Sequence, residues 1–393
     1  MASTPSLWLS RGHAPEEVDT VVVGAGVVGL STAYWLTRSG RSPVVLDADG
    51  IASHASGRNA GFLLTGTAET YASLVRGIGE PAARRLWELS NENRELLRGE
   101  VLDPGKVDCE FLPEGSWIAS LADHPEQEKD LRESCERLAA LGLDVQWREA
   151  AEVRRASGCP LLGGGIFQPR DGGIDPARLC RGIARLVGEA GGQVRTGVRV
   201  RRLEPEGDRI RLVTDGGHLL AERVVLALNA YAPQLLPHLQ GEIRPIRGQI
   251  FTTAPGPRDL QGVWYVNDGY EYLRQLRDGT FLLGGCRWVA RDTEVGYEEA
   301  PTARVQGALD TFLRDAFPRF ADRPILHRWA GIMAFTADGL PRTGEVPGVP
   351  GAFYAAGMNG HGMSLGFATG RWLAGRVVGE GNGDLFPPAM TAA

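Results

Sequence analysis

Hydrophobic positions along this chain follow two periods in turn. Thr20-Val21-Val22-Val23 is a β-branched run that predicts a buried strand. Leu30 to Arg38 has helical composition and stops at Ser39-Gly40. Pro43 to Asp47 predicts a second strand, which completes a β-α-β unit. Helical periodicity returns at 81–101 and at 124–141, the latter opened by Asp123-His124-Pro125 and closed by Gly142. Asp175-Pro176 predicts a further helix, with Asp as N-cap and Pro in the first turn, ending at Gly191-Gly192. Residues 194–228 read as strands: Val198 and Val200 alternate with Arg199 and Arg201, Asp215-Gly216-Gly217 turns, and Val224 to Leu228 is continuously apolar. Residues 243–288 are again strand-like, with aromatics at Trp264, Tyr265, Tyr270 and Tyr272, and 302–315 look helical. Ala352 to Ala356 predicts a last strand, followed by Gly357 to Gly362 and a helix from about Ser364 to Val378. Glycine-rich strand-to-helix turns therefore lie near both ends. That arrangement predicts a nucleotide-binding domain assembled from separated segments, with a second domain inserted.

Composition narrows the class. The chain has 393 residues, 43% hydrophobic and 23% charged, with 53 Gly. It is long enough for two or three domains and excludes disorder, a coiled coil and a disulfide scaffold. A net charge of −6 gives no electrostatic reason to expect nucleic acid or an anionic membrane as partner. Of 42 basic residues only Lys106 and Lys129 are Lys, so a mechanism that needs a lysine has two candidates. The five cysteines (Cys109, Cys135, Cys159, Cys180, Cys286) form no C-x-x-C, which suits a reducing cytoplasm. The seven histidines have no metal-ligand spacing, so no metal site is expected. Val21 to Leu36, broken by three glycines, is too short to span a bilayer, and residues 1–19 lack the apolar core of a secretory signal.

Three segments carry chemistry. Gly24-Ala25-Gly26-Val27-Val28-Gly29 is a G-x-G-x-x-G turn between strand and helix: the first Gly makes the turn, the second admits a pyrophosphate and the third allows close packing. The helix N-terminus then favours phosphate charge, and Asp47 ends the next strand, where an acid accepts from ribose hydroxyls. This context predicts dinucleotide binding without separating NAD from FAD. Ser53-His54-Ala55-Ser56-Gly57-Arg58-Asn59-Ala60-Gly61 is either a backbone-rich ligand contact or a polar surface loop. Gly357-Met358-Asn359-Gly360-His361-Gly362-Met363 opens a helix and is either a place for negative charge, such as that of a reduced flavin, or an ordinary strand-to-helix turn.

These stretches, together with VVLALNAYAP (224–233), IRPIRGQI (243–250), EYLRQLRDGTFLLGG (271–285) and RWAGIMAFTADGLPRTG (328–344), occur in one order along nearly the whole chain. Ser6-Leu7-Trp8 near the start and AAGMNGHGMSLGFATGRWLA (355–374) near the end belong to the same set. In them the chain resembles the D-amino-acid oxidase superfamily of flavoproteins, in its gamma-glutamylputrescine oxidoreductase, glycine oxidase and sarcosine oxidase branch. The resemblance implies an α/β fold with a discontinuous Rossmann-like FAD-binding domain (15–105, 160–235 and 325–385) and a mostly antiparallel substrate domain (106–159 and 236–324). It implies oxidation of a C–N bond of a small-molecule amine by hydride transfer to FAD, hydrolysis of the imine, and reoxidation by O2 or another electron acceptor. The implied cofactor residues are Gly24, Gly26, Val27, Gly29, Asp47, Ala48, Ser56, Gly57, Arg58, Asn59, Gly61, Val198 and Ala227, with Gly357, Asn359, Gly360, His361, Gly362 and Met363.

The departures from the family pattern are informative. Met333 stands where the family's amino-acid oxidases carry a carboxylate-binding Arg, which argues against a simple α-amino acid unless Arg247 or Arg274 takes that role. Gly331 stands where sarcosine oxidases tether flavin through Cys, so the FAD is expected to be non-covalent, with Cys286 and His54 as weaker tether candidates. Leu282 falls near the strand position of an oxygen-activating Lys, which leaves oxidase against dehydrogenase open. Tyr270 and Tyr272 either line the substrate cavity or pack in the sheet. The catalytic candidates are then Tyr270, Tyr272, Arg274, Met333 and His361. Two alternatives stand beside the amine-oxidising reading: a flavin-bearing subunit that needs a partner protein, and an oxidation within a natural-product pathway.

Overall fold

The computed structural model describes residues 16–67, 69–380 and 385–386. The Ser6-Leu7-Trp8 stretch lies outside them. Strands in the first half of the chain are β1 (Glu16–Val23), β2 (Val44–Asp47), β3 (Phe62–Leu63), β4 (Ser116–Leu121), β5 (Gln146–Arg148), β6 (Leu162–Gln168), β7 (Gly172–Gly173), β8 (Gln193–Thr196) and β9 (Val200–Glu206). The second half adds β10 (Arg209–Thr214), β11 (Gly217–Leu226), β12 (Arg244–Thr253), β13 (Val263–Val266), β14 (Glu271–Gln275), β15 (Phe281–Gly285), β16 (Ile325–Phe335), β17 (Arg342–Glu345) and β18 (Ala352–Ala356).

Two large sheets result. The first runs β17-β18-β11-β1-β2-β8, with β9 and β10 attached to β11 as an antiparallel meander. Its centre is parallel: β11, β1, β2 and β8 pair in the same direction, as do β11 and β18. Thr20 to Val23 is buried on both faces, which explains why this strand is apolar throughout rather than alternating. The helix Val27–Arg38 follows β1, and the helix Gly362–Val378 packs on it through Trp35 and Phe367, whose rings are 5.3 Å apart. The helix Pro176–Glu189 starts as its sequence predicts, with the Asp175 carboxylate accepting from the Arg178 N–H at 2.9 Å.

The second sheet runs β16-β12-β15-β14-β13-β4-β6-β5 and is antiparallel except between β4 and β13. Two of its strands depart from the expected partition. β6 falls in 160–235 and β16 in 325–385, segments assigned from sequence to the nucleotide-binding domain, yet both pair within the second sheet. The reason is register: β16 aligns with β12 along nearly its whole length, from Phe335 opposite Arg244 to Ile325 opposite Thr253. The strands β4, β5, β6 and β16 were also not marked by hydrophobic period alone. β6 is Leu-Gly-Gly-Gly-Ile-Phe-Gln, in which glycines replace the alternating apolar residues.

Candidate functional site

β1 is followed by Gly24, whose φ of +109° and proximity to the Ala227 carbonyl (2.5 Å from where a Cβ would sit) restrict the position to glycine. A Cβ at Gly29 would lie 1.9 Å from the Gly24 carbonyl oxygen, so the turn and the helix close only without one. Asp47 then organises the turn. Its Oδ2 accepts from the Ala25 N–H at 2.7 Å, and Oδ1 accepts from the Asp49 and Gly50 N–H groups, each at 2.9 Å. Ser56 Oγ accepts from the Val27 N–H at 2.9 Å and so reaches the N-terminus of the helix. Asn59 folds its own loop, donating to the Ala55 and Ser56 carbonyls and accepting from the Gly61 N–H. Arg58 leaves the loop and donates to Ser53 O and to Ala330 O on β16. The 53–61 segment is thus an ordered wall between the two sheets, not a free surface loop.

His54 ties this wall to the segment after β15. Its Nε2 meets Asp49 at 2.9 Å and its Nδ1 meets Glu299 at 3.0 Å, while Glu299 also sits 3.3 Å from Arg58. Burial alone would lower the His54 pKa. Glu299 and Asp49 outweigh it and raise the value above the usual 6.5.

One cleft of about 450 Å³ runs from the glycine turn to the second sheet. Gly24, Gly26, Val27 and Asp47 line one end. Ser56, Arg58, Asn59 and Ala227 line the side wall. Asn359, Gly360, His361, Gly362 and Met363 line the middle, and Tyr270, Tyr272 and Met333 the far end. Gly29, Ala48, Gly57, Gly61, Val198 and Gly357 do not line it. They act from behind: Val198 donates its N–H to Asp47 O at 2.9 Å, and Gly57, Gly61 and Gly357 pack against Ala52, Ile174 and Thr336.

Arg274 is the main correction. It was expected in the cavity beside Tyr272, but its guanidinium is buried and its Nη1 donates to Gly61 O at 2.8 Å and Ile174 O at 3.0 Å. Desolvation pulls its pKa down to about 10. It shares a face with Tyr272, but two residues further along β14 that face is covered by the 61 and 174 segments. Arg247 is equally committed, forming a buried two-point pair with Glu294 at 2.7 and 3.2 Å. Neither arginine is available to a substrate carboxylate. Leu282 is buried in β15, Lys106 sits 3.9 Å from Glu100, and Lys129 pairs with Glu126 on the helix Pro125–Ala140. None of the three lines the cleft.

His361 is poised differently. Its Nδ1 lies 2.9 Å from Asn359 O, an atom that only accepts, so the proton is on Nδ1. Nε2 then carries a lone pair, buried and without a hydrogen-bond partner among the described residues. Burial holds the imidazole neutral, with a pKa pushed down to about 4. Tyr265 and Tyr272 have their phenol pKa values raised by burial, so both stay protonated. Sequence reasoning left out several lining residues, among them Phe62, Glu69, Tyr231, Asp268, Arg287 and Phe335. These come from strand ends and turns. Only the strand pairing carried a signal for them: Phe335 is two positions beyond Met333 on one face of β16.

A parallel sheet with a glycine turn at the carboxyl end of its central strand, open to a large cleft, defines a dinucleotide-dependent oxidoreductase fold. The family model described as "DAO: FAD dependent oxidoreductase" matches residues 19–376, and the chain belongs to that family. The "Probable oxidoreductase OrdL" of Rhizobium meliloti (strain 1021) is 27% identical over 376 residues, covering 93% of this chain and 84% of that protein. The "Gamma-glutamylputrescine oxidoreductase" of Escherichia coli (strain K12) is 27% identical over 372 residues, with 92% and 84% covered. The crystal structure of glycine oxidase from Geobacillus kaustophilus superposes with a TM-score of 0.81 at 22% identity, over 96% of this chain and 99% of that one. FAD is accordingly the cofactor. The residues present fit it: the Gly24–Gly29 turn, where an added Cβ would strike backbone or Ser56, opens onto the cleft beside Asp47, and the orphaned His361 Nε2 belongs to a ring in the cleft wall. Gly331 lines the same cleft, and a Cβ there would meet Arg58 Cβ at 2.9 Å, which crowds a side chain at the tether position.

Proposed function

We propose that the protein oxidises a C–N bond of an amine or amino-acid-like substrate, with non-covalent FAD as cofactor, O2 as terminal acceptor and H2O2 as product. The observation that carries this reading is the continuity of the cleft, which joins a dinucleotide cradle to a chamber walled by Tyr265, Tyr270, Tyr272, Phe62 and Phe335. Bound FAD supplies the two-electron acceptor for the hydride that leaves the carbon next to nitrogen. The chain's residues do the rest. Gly24, Gly26 and Val27 bind the pyrophosphate, and Asp47 the adenosine ribose. Ser56, Arg58 and Asn59 fix the wall on which the ring system rests. Asn359 to Met363 bring the N-terminus of the helix Gly362–Val378 to the end where charge develops. The aromatic wall excludes water and disfavours an ammonium ion, so the amine enters in its reactive neutral form. His361 Nε2, unprotonated at neutral pH, accepts a hydrogen bond from the bound ligand. Tyr272 stays a phenol and orients the substrate as a donor.

The test is anaerobic mixing of the purified holoenzyme with primary amines, secondary amines and amino acids, followed by readmission of O2. Flavin bleaching with at least one class, and peroxide on reoxidation, is the expected result. A panel that leaves the flavin oxidised overturns the reading. Acid precipitation should release the colour into the supernatant.

A further inference from the structure

We propose that Arg287 is an anion anchor in the substrate end of the cleft, and that the amine oxidised there carries its anionic group several bonds from the reacting carbon. This rests on the amine-oxidising reading above. Two arginines line the cleft, and they differ. Arg58 is bound to two carbonyls and sits beside Glu299. Arg287, half-buried, makes no hydrogen bond or ion pair among the described residues, and its guanidinium lies over the Phe335 ring at 5.7 Å. Glu69 and Asp268 also line the cleft, but neither forms an ion pair with Arg287 among the described residues, and a cation facing a cavity with no paired carboxylate is costly unless a ligand supplies one.

Its neighbours share its sign. Arg244 is the β12 partner of Phe335, and Arg291 stacks over Tyr270 at 4.6 Å. Neither makes an ion pair among the described residues. Burial, with Arg291 and Arg244 nearby, pulls the Arg287 pKa down. Arg244 and Arg291 are exposed and do not line the cleft, but they add positive charge around Arg287, and an anion is the ligand that this setting favours.

The backbone around Arg287 is fixed on both sides. Cys286 takes a left-handed φ of 53°, uncommon for a residue with a side chain, and its N–H donates to Tyr270 O at 2.8 Å. Trp288 is 52% exposed, yet its indole N–H donates to the buried Glu271 at 2.8 Å. The turn therefore aims Arg287 rather than leaving it to wander.

Its position sets the spacing. Phe335, beneath the guanidinium, is two residues past Met333 on β16, about 7 Å along the strand. Met333, where the family resemblance places a carboxylate-binding Arg, offers only a thioether, packed 3.4 Å from the Cβ position of Gly360. The cation stands instead on the turn after β15, and the rings of Tyr270, Tyr272 and Phe335, which line the same cleft, suit a methylene chain.

The experiment uses the holoenzyme and two readouts. Anaerobic flavin reduction is compared for 6-aminohexanoate, 5-aminopentanoate, 5-aminopentylphosphonate, pentylamine and norvaline. Flavin spectral titration measures binding of unreactive hexanoate and pentylphosphonate. The expected result is a preference of about tenfold or more for the ω-anionic amines over pentylamine and norvaline. That preference should shrink at least tenfold in R287Q and partly return in R287K, and hexanoate should weaken in parallel. The phosphonate arm identifies which anion is preferred. An unchanged preference in an R287Q variant that keeps its FAD, or norvaline as the best substrate, overturns the anchor. If pentylamine bleaches the flavin and no ω-anion preference exists, the anchor falls and the amine reading stands. If no amine bleaches it but hexanoate binding still depends on Arg287, the anchor stands and the amine reading falls.

Discussion

The two ends of the cleft are built from different materials. The dinucleotide end is made of backbone: glycines, N–H groups and one carboxylate, Asp47, that three main-chain amides already hold. The substrate end is made of side chains projecting from β12, β13, β14 and β16. Backbone can approach a ligand in few ways, so the first end tolerates little change. Side chains at alternate strand positions are interchangeable, so the second can be rewritten without disturbing the sheet. Met333, at the place where the family resemblance puts an arginine, is the position at which to test this.

If that contrast holds, Gly29→Val should have the largest effect. Its Cβ would collide with the Gly24 carbonyl, and FAD affinity should fall by about 100-fold or more, read as flavin content after purification. Retained flavin would break the contrast. Arg274→Ala comes next. It frees two buried carbonyls beneath the 61 and 174 segments, and should cost about 3 kcal/mol in chemical denaturation of the apoprotein. A small loss would mean that the arginine does not brace the wall. His361→Ala should slow anaerobic flavin reduction by about tenfold, by removing the lone-pair acceptor from the cleft. Met333→Arg should tighten α-amino-acid binding by about fivefold, measured by spectral titration, if the substrate end is as rewritable as it looks. Glu299→Gln should have the smallest effect, about threefold on FAD affinity at acid pH. Its sign follows from His54. A pKa raised above 6.5 makes the imidazolium–carboxylate contact fully present below 6.5 and lost as pH rises through the raised value. The wild-type protein should therefore hold FAD less tightly at alkaline pH, and the variant should show a flatter profile.

The first end was legible in the sequence because its chemistry is local. Gly24, Gly26, Gly29 and Asp47 fall within a single β-α-β unit, and their spacing carries their geometry. The Pro176–Glu189 helix was legible for the same reason, since its cap and first-turn proline are adjacent. The second end was not. Arg274 and Tyr272 share a face of β14, and nothing nearby in sequence reveals that the segments at Gly61 and Ile174 cover one and leave the other open. Arg287 follows a cysteine that the sequence marks only as a tether candidate, and its proposed role depends on Phe335, nearly fifty positions away. β6 was hidden by its glycines, and β16 by the assumption that segments flanking the last βα unit stay with it.

The Glu299 strap has a consequence for how such a protein can diversify. It rises from the stretch between β15 and β16, the same stretch that begins with Arg287, and it clasps the wall of the dinucleotide end. Inheritance of a new substrate preference through that stretch would drag cofactor residence along with it. A change there that displaced Glu299 would loosen the His54–Arg58 wall slightly unless His54 or Arg58 changed in step.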